Sequence, residues 1–154
     1  MRRLLGFLAG SLLSLTAACT MAPGRDLAVA DMLPKPEAGR MLETPSYRLF
    51  FDVDSATLTA ESIATLDQVA AEAAGQPTAR IIVAGHADRS GSKRRNKMLS
   101  VERAEAVRRY LLRAGVPERS IVSAAYGERR GLVATSDGVI EPQNRRVEIY
   151  LRAY

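Results

Sequence analysis

The sequence predicts one α/β domain, in which a mixed four-stranded sheet carries packed helices in the order βαβαββ. Three observations lead to this fold class. The 154 residues, of which 47% are hydrophobic and 25% charged, suffice for a single ordinary core. From position 47 onward, apolar residues recur with a period of two in some segments and at helical spacing in others. Alternating strands and helices imply crossover connections, which place helices on a sheet.

The first strand is predicted where Tyr47, Leu49 and Phe51 alternate with residues of the opposite face. A helix follows, for which Thr59 is a suitable N-cap and the sequence from Gly75 to Pro77 a suitable end. The apolar residues of its inner stripe are expected to be Ile63, Leu66, Val69, Ala70 and Ala73.

Residues 81–84 (IIVA) are continuously apolar, which is typical of a central strand covered on both faces. Ser100 is predicted to cap the second helix, which should end at residues 115–117 (GVP). Its inner stripe is expected to consist of Val101, Ala104, Val107, Leu111 and Leu112.

Residues 121–126 and 146–151 are predicted to form the third and fourth strands. The last strand follows a loop rather than a helix. A loop of this kind allows antiparallel insertion, so we expect the sheet to be mixed.

The N-terminus has the three parts of a secretory signal over residues 1–18: Arg2 and Arg3, an apolar run, and small residues before Cys19. Residues 15–19 (LTAAC) resemble a bacterial lipobox, which predicts lipidation of Cys19, with palmitate among the acyl chains. Two alternatives remain: a short transmembrane anchor, and ordinary cleavage that leaves a free thiol. Residues 19–45 contain four prolines and predict a flexible linker, so the globular domain should span residues 46–154.

Composition excludes several classes of function. One Cys and one His leave no disulfide framework and no metal site that needs several imidazoles. The net charge of +5 alone would fit nucleic acid, an anionic membrane or an acidic polymer. Trp is absent and aromatic residues make up 5%, which argues against a stacking surface for single-stranded nucleic acid. Because an exported product meets no genome, we expect no nucleic-acid partner; we also expect no cofactor and no metal.

Charged residues concentrate between positions 85 and 109, after the central strand, where open α/β sheets place ligand sites. If Ser100 caps the second helix, Arg103 lies in its first turn, where a cation opposes the positive end of the helix dipole. An anion would compensate this charge. Asp88 could do so in a structural ion pair, or Asp88 and Arg103 could together hold a zwitterionic ligand. The residues by themselves leave both interpretations open.

Seven short segments between positions 47 and 154 form an ordered series of motifs. They are residues 50–52 (FFD), 85–88 (GHAD), 91–92 (GS), 96 (N), 99–104 (LSVERA), 126–128 (YGE) and 144–149 (NRRVEI). In this order they resemble the OmpA-like peptidoglycan-binding domain family. The layout of lipobox, linker and one such domain is similar to that of peptidoglycan-associated lipoproteins in Gram-negative outer membranes.

The resemblance implies that Asp88 and Arg103 hold the amine and the carboxylate of diaminopimelate in a stem peptide. The sequence departs from the family pattern at Ala87, where threonine is common, and at Arg95, where an aromatic residue is frequent. The other positions that the resemblance assigns to the binding pocket are Asp52, Ala87, Asn96, Leu99, Asn144 and Arg145.

The resemblance also implies a non-enzymatic anchor in the outer membrane, lipidated at Cys19, with its domain in the periplasm. Tol-type periplasmic proteins and a role in cell division would follow from the same likeness. One alternative is a wall-binding module of a motor or secretion complex, held by an uncleaved N-terminal helix. Another is an envelope hydrolase that uses His86 and Asp88 as acid–base groups.

Overall fold

The structure is a computed structural model that describes residues 46–152, and this part of the chain has the predicted element order. The predicted signal peptide (1–18), Cys19 and the predicted linker (19–45) lie outside the described residues. Short 3-10 helices at Glu118–Ser120 and Pro142–Asn144 precede the last two strands. The strands are β1 (Tyr47–Phe50), β2 (Arg80–His86), β3 (Ile121–Gly127) and β4 (Arg146–Arg152), and the helices are α1 (Ala60–Ala74) and α2 (Lys93–Arg113).

The four strands form one sheet in the order β1-β4-β2-β3. Strands β2 and β3 are parallel, as the crossover through α2 requires, whereas β4 is antiparallel to both β1 and β2. The predicted mixed sheet and the antiparallel insertion of the last strand are therefore confirmed.

Both helices pack on the same face of the sheet. Alternate strand residues turn their side chains toward α1 and α2, and full burial of each large apolar side chain contributes about 1.5–3 kcal/mol. The main core consists chiefly of Leu49, Leu66, Val69, Ile81, Val83, Val107, Leu111, Val147 and Ile149.

The opposite face of the sheet carries a smaller apolar cluster, which includes no helix residue from positions 46–152. Ile82 and Ala84 of β2 pack there with Ala124 and Tyr126 of β3, and the half-buried Tyr150 of β4 lies against them. The central strand β2 is therefore buried on both faces, as predicted.

Helix α1 begins as predicted, because the Thr59 side chain accepts a hydrogen bond from the Ser62 backbone N–H at 3.1 Å. Ile63 was expected on the inner stripe, but its side chain is 38% exposed. Ser62 is buried one position earlier instead. Its hydroxyl tolerates burial because it accepts a hydrogen bond from the Thr59 hydroxyl.

The predicted start of α2 was wrong. The helix begins at Lys93 with Ser92 as its N-cap, since the Ser92 hydroxyl accepts from the Arg95 backbone N–H at 3.2 Å. The first turns are so rich in Lys and Arg that they show no apolar period, although both residues favour helix. Val101, expected on the inner stripe, is 43% exposed.

Ser100 lies within α2, where its hydroxyl donates to the Lys97 carbonyl at 2.7 Å and accepts from the Gly127 N–H at 2.9 Å. Arg103 therefore lies about three turns into the helix rather than in its first turn. The argument that Arg103 opposes the positive end of the helix dipole does not hold, because this effect is confined to the first turn.

Close approach between β2 and α2 depends on Gly85. A Cβ at this position would lie 2.0 Å from the Ser100 carbonyl oxygen and 3.3 Å from the Ala104 Cβ. We expect Gly85→Ala to lower the free energy of unfolding by about 1–3 kcal/mol or more, because helix and strand must separate. Urea denaturation of the purified protein measures this loss.

The matched control is Gly75→Ala at the end of α1, where φ is −73° and the nearest atom, the Glu72 carbonyl oxygen, is 3.5 Å from the added Cβ. This variant should keep its stability to within about 1 kcal/mol of the original protein, or gain slightly. Equal stability of the two variants would contradict the close packing at Gly85.

Candidate functional site

Asp88 lies just after β2 and is 3% exposed. Its Oδ1 accepts hydrogen bonds from the Ser90 hydroxyl at 2.6 Å and the Ser90 backbone N–H at 3.3 Å. Its Oδ2 accepts from the Glu141 N–H at 3.3 Å and from the Arg145 Nη1 at 3.4 Å. The carboxylate is thus held by its own loop and by the segment that leads into β4.

Burial raises the pKa of Asp88, but the hydrogen bonds from Ser90, Glu141 and Arg145 together outweigh it, so the pKa lies below its ordinary value. Asp88 is therefore ionised at neutral pH. A buried anion of this kind attracts a cationic group.

The Arg103 side chain is fully buried, and its guanidinium donates hydrogen bonds to three backbone carbonyls. Nε donates to the Ser55 carbonyl at 2.8 Å, and Nη2 donates to the Asp52 carbonyl at 2.9 Å. Nη1 donates to the His86 carbonyl at 2.9 Å. The Phe51 ring also lies below the guanidinium carbon, with its centroid at 5.3 Å.

Burial lowers the pKa of Arg103 to about 10, while the charge of Asp88 opposes this shift and the charge of Arg145 adds to it. The guanidinium remains charged at neutral pH. Of its five N–H donors, the three carbonyl bonds use three, which leaves two N–H groups for another acceptor.

Asp88 makes its ion pair with Arg145, at 3.4 Å, and among the described residues no ion pair joins Asp88 to Arg103. The Arg145 Nε donates to the Phe51 carbonyl at 3.0 Å, which holds this side chain between the end of β1 and Asp88. We call Asp88, Arg103 and Arg145 the charged cluster. Two buried cations and one buried anion give it a net charge of +1.

Asn96 and Asn144, both 2% exposed, have hydrogen-bond partners outside the charged cluster. Asn96 donates to the Gly91 carbonyl at 3.1 Å and to Glu128 at 2.6 Å. Asn144 bonds both the N–H and the carbonyl of Val133. Both amides therefore support loops around the site.

The remaining predicted positions differ in how they relate to the charged cluster. Ala87 is buried and donates its N–H to the Gly127 carbonyl at 2.9 Å, and Leu99 is buried on α2. The Asp52 carbonyl bonds Arg103, while its side chain is exposed. Arg95, where the family often has an aromatic residue, forms an ion pair with Asp54 at 2.7 Å.

Sequence reasoning missed one side chain that supports the charged cluster, that of Ser90. Ser90 was detectable, because Asp followed two residues later by a donor is typical of a local side-chain turn. It also missed the N–H of Glu141 and the carbonyls of Phe51, Ser55 and His86. These are backbone groups, which any residue type supplies, so no sequence signal marks them.

His86 makes no hydrogen bond to Asp88, although the two residues are close in sequence. The imidazole stacks on Tyr126 with ring centroids 5.4 Å apart, and its Nε2 lies 3.6 Å from Glu148 Oε2. Glu148 in turn accepts from Arg146 at 2.8 Å and from Tyr150 at 2.7 Å. The acid–base pair of the hydrolase alternative is therefore not formed.

Residues 46–152 contain no group of three or more His, Cys, Asp or Glu side chains placed to hold a metal ion. In the same range, no helix is both long enough and apolar enough to cross a bilayer.

A model of the OmpA family matches residues 50–145, which include the charged cluster. The chain is 38% identical over 99 residues to the peptidoglycan-associated lipoprotein of Rhizobium meliloti, covering 64% of this chain and 56% of that one. It is 39% identical over 112 residues to an outer membrane protein of Gluconacetobacter diazotrophicus, covering 69% of this chain and 30% of that one. The chain therefore spans between about a third and just over half of these relatives.

Among solved structures, the chain is similar to the peptidoglycan-associated lipoprotein from Burkholderia pseudomallei. The TM-score is 0.64 and the sequence identity 30%, over 68% of this chain and 89% of that one. This likeness confirms the predicted fold class, including the mixed sheet and the two packed helices.

His86 should make stability depend on pH. Burial lowers the pKa of His86 below 6.5, although Glu148 partly opposes this shift. The unfolded chain therefore binds a proton more readily than the folded protein. The stabilising effect is fully present above pH 6.5, and it is lost as the pH falls from 6.5 through the lower pKa of the folded protein. We expect the free energy of unfolding to decline between pH 7.5 and 5.5 with a slope of at most about 1.4 kcal/mol per pH unit.

The measurement is urea denaturation at a series of pH values, compared with His86→Gln, which does not titrate in this range. Because His86 is the single histidine of the chain, the variant should show a flatter pH profile regardless of its absolute stability. An identical slope in both proteins would contradict the assignment.

Proposed function

The chain belongs to the OmpA family, and on this basis we propose that its domain binds peptidoglycan noncovalently through the charged cluster. The ligand group is the side-chain end of diaminopimelate in a stem peptide. This group carries an ammonium and a carboxylate on one carbon atom, so it requires an anion and a cation within one site. Asp88 is the partner of the ammonium, and Arg103 is the partner of the carboxylate.

The observation that carries the proposal is the charge imbalance of the cluster. Two buried guanidinium groups face a single buried carboxylate, and two N–H groups of Arg103 remain without an acceptor among its hydrogen bonds. A ligand carboxylate would supply the missing negative charge, and it would reach these N–H groups once the segment that covers the fully buried Arg103 moves aside. Charge-assisted hydrogen bonds of this type contribute about 1.5–3 kcal/mol each.

Because Asp88 is 3% exposed, an ammonium group would reach it by taking the place of one of its hydrogen bonds. The two bonds that Oδ2 accepts are the long ones, at 3.3 Å from Glu141 and 3.4 Å from Arg145. If the ammonium group replaces the longer of these two bonds, the one from Arg145, the short Ser90 bond at Oδ1 stays intact and the carboxylate keeps its position. Arg145 then remains beside the ligand as a second cation.

The full chain is proposed to act as an anchor rather than an enzyme. Lipid on Cys19 would hold one end in the outer membrane, residues 19–45 would span the gap, and the domain would bind the wall in the periplasm. The lipobox-like residues 15–19 support this arrangement, as does the similarity to a peptidoglycan-associated lipoprotein and to an outer membrane protein. Tol-type periplasmic proteins are the partners that the same layout suggests.

One such pocket should bind a free stem peptide only weakly, with a Kd on the order of micromolar to millimolar. Attachment to the membrane and many copies along the wall raise the effective concentration, so weak individual contacts still give a stable connection.

Asp88→Asn tests the charged cluster. We expect it to weaken binding of a soluble diaminopimelate-containing stem peptide about 10- to 100-fold, since a charge-assisted bond is lost. Asn preserves the shape of the side chain and can still accept from Ser90, so the variant should fold. The matched control is Asp137→Asn, which removes an exposed carboxylate paired with Arg89 outside the charged cluster.

Calorimetry with a stem peptide acetylated on the free amine of diaminopimelate gives an independent check on unaltered protein. Equal affinity for acetylated and free peptide would exclude the role of Asp88. Arg103→Ala is a less useful variant, because it leaves three backbone carbonyls without their donor at about 1–3 kcal/mol each and so mixes unfolding with lost binding.

Cys19→Ser tests the anchor. We expect this variant to leave the membrane fraction, because the side chain that carries the lipid is removed. Cell fractionation followed by mass spectrometry of the N-terminus measures both location and processing, and Thr20→Ser is the neighbouring control. Retention of the Cys19→Ser variant in the membrane with residues 1–18 still attached would favour the uncleaved-helix alternative.

A further inference from the structure

A groove of about 470 Å³ adjoins the charged cluster. It is bounded by β1, by the first turns of α1 and by the 3-10 helix at Pro142–Asn144. Asp52 and Arg145 line the groove, and both also take part in the site: the Asp52 carbonyl binds Arg103, and the Arg145 guanidinium pairs with Asp88. A ligand held at the charged cluster therefore has this groove as its neighbouring concave surface.

One wall of the groove is the edge strand of the sheet. Within residues 46–152, strand β1 pairs only with β4, and the Phe51 N–H donates to the Arg145 carbonyl at 2.9 Å. Because antiparallel pairing alternates, Arg48 and Phe50 direct their backbone N–H and C=O groups away from β4. Both residues line the groove, so their backbone groups offer a template for an extended peptide.

Charged residues also line the groove. Within residues 46–152, the side chains of Arg48, Asp52 and Glu61 take part in none of the salt bridges. Arg48 is thus an available cation on a surface that leads to the charged cluster.

We propose that this groove is a second subsite, which binds the part of the stem peptide that precedes diaminopimelate. Arg48 holds the free α-carboxylate of the γ-linked glutamate in that peptide. The inference rests on the proposed function, because only a ligand anchored at the charged cluster is delivered to the groove.

Size and chemistry agree with this ligand. The distance along β1 from position 48 to position 51 is roughly 10 Å, which is the length of about three extended residues. Peptide N–H and C=O groups of the ligand pair with the outward backbone groups of Phe50. The Phe50 side chain, in a residue that is 49% exposed, covers the alkyl part of the ligand peptide. The planar guanidinium of Arg48 matches a carboxylate in a bidentate arrangement.

The experiment compares three probes on the full-length mature protein by calorimetry. They are free meso-diaminopimelate, the tripeptide L-alanyl-γ-D-glutamyl-diaminopimelate, and the same tripeptide with the α-carboxylate of glutamate amidated. Each is titrated into the unaltered protein, into Arg48→Gln, and into the control Arg119→Gln, which changes an exposed arginine outside the groove.

We expect Arg48→Gln to bind free diaminopimelate with unchanged affinity and the tripeptide about 10-fold more weakly. The unaltered protein should show a similar loss with the amidated tripeptide, and Arg119→Gln should behave like the unaltered protein.

Equal tripeptide affinity of Arg48→Gln and the unaltered protein would overturn the second subsite while leaving the proposed function intact. An equal loss for free diaminopimelate would also overturn it, because Arg48 would then act on the whole site. If the unaltered protein binds none of the probes, the proposed function fails and the subsite with it.

Discussion

The buried guanidinium of Arg103 connects helix α2 to two other parts of the chain that are distant from it in sequence. Its hydrogen bonds end on the carbonyls of Asp52, Ser55 and His86, which belong to the segment after β1 and to the end of β2. A buried cation is costly unless its donors are satisfied, so these carbonyls and the charge of Asp88 must remain in place. The position of the whole site therefore depends on this one side chain.

Helix α2 brings Arg103 to that position because it approaches β2 unusually closely. The approach is possible because Gly85 has no side chain where the Ser100 carbonyl passes. Ser100 then joins the helix to the end of β3 through its bond to the Gly127 N–H. Packing of the core and geometry of the site are thus consequences of the same contact between helix and strand.

His86, the last residue of β2, takes part in two separate groups of contacts. The backbone carbonyl of His86 accepts from Arg103, while its imidazole lies with Tyr126 and Glu148 in a separate polar group. Asp88, two residues later, pairs with Arg145 from the start of β4. The charged cluster therefore forms where two neighbouring antiparallel strands come together, and its net positive charge makes it suited to a ligand that carries a carboxylate.

Short-range patterns in the sequence determined the order of the elements, the Thr59 cap and the mixed sheet, because periodicity and capping depend on neighbours within a few positions. The family likeness singled out Asp88 and Arg103. Tertiary structure alone decided that α2 begins at Lys93, since its first turns lack an apolar period, and that Asp88 pairs with Arg145, 57 positions away. The partners of a buried charge depend on strand register and on backbone carbonyls, which residue identities do not encode locally.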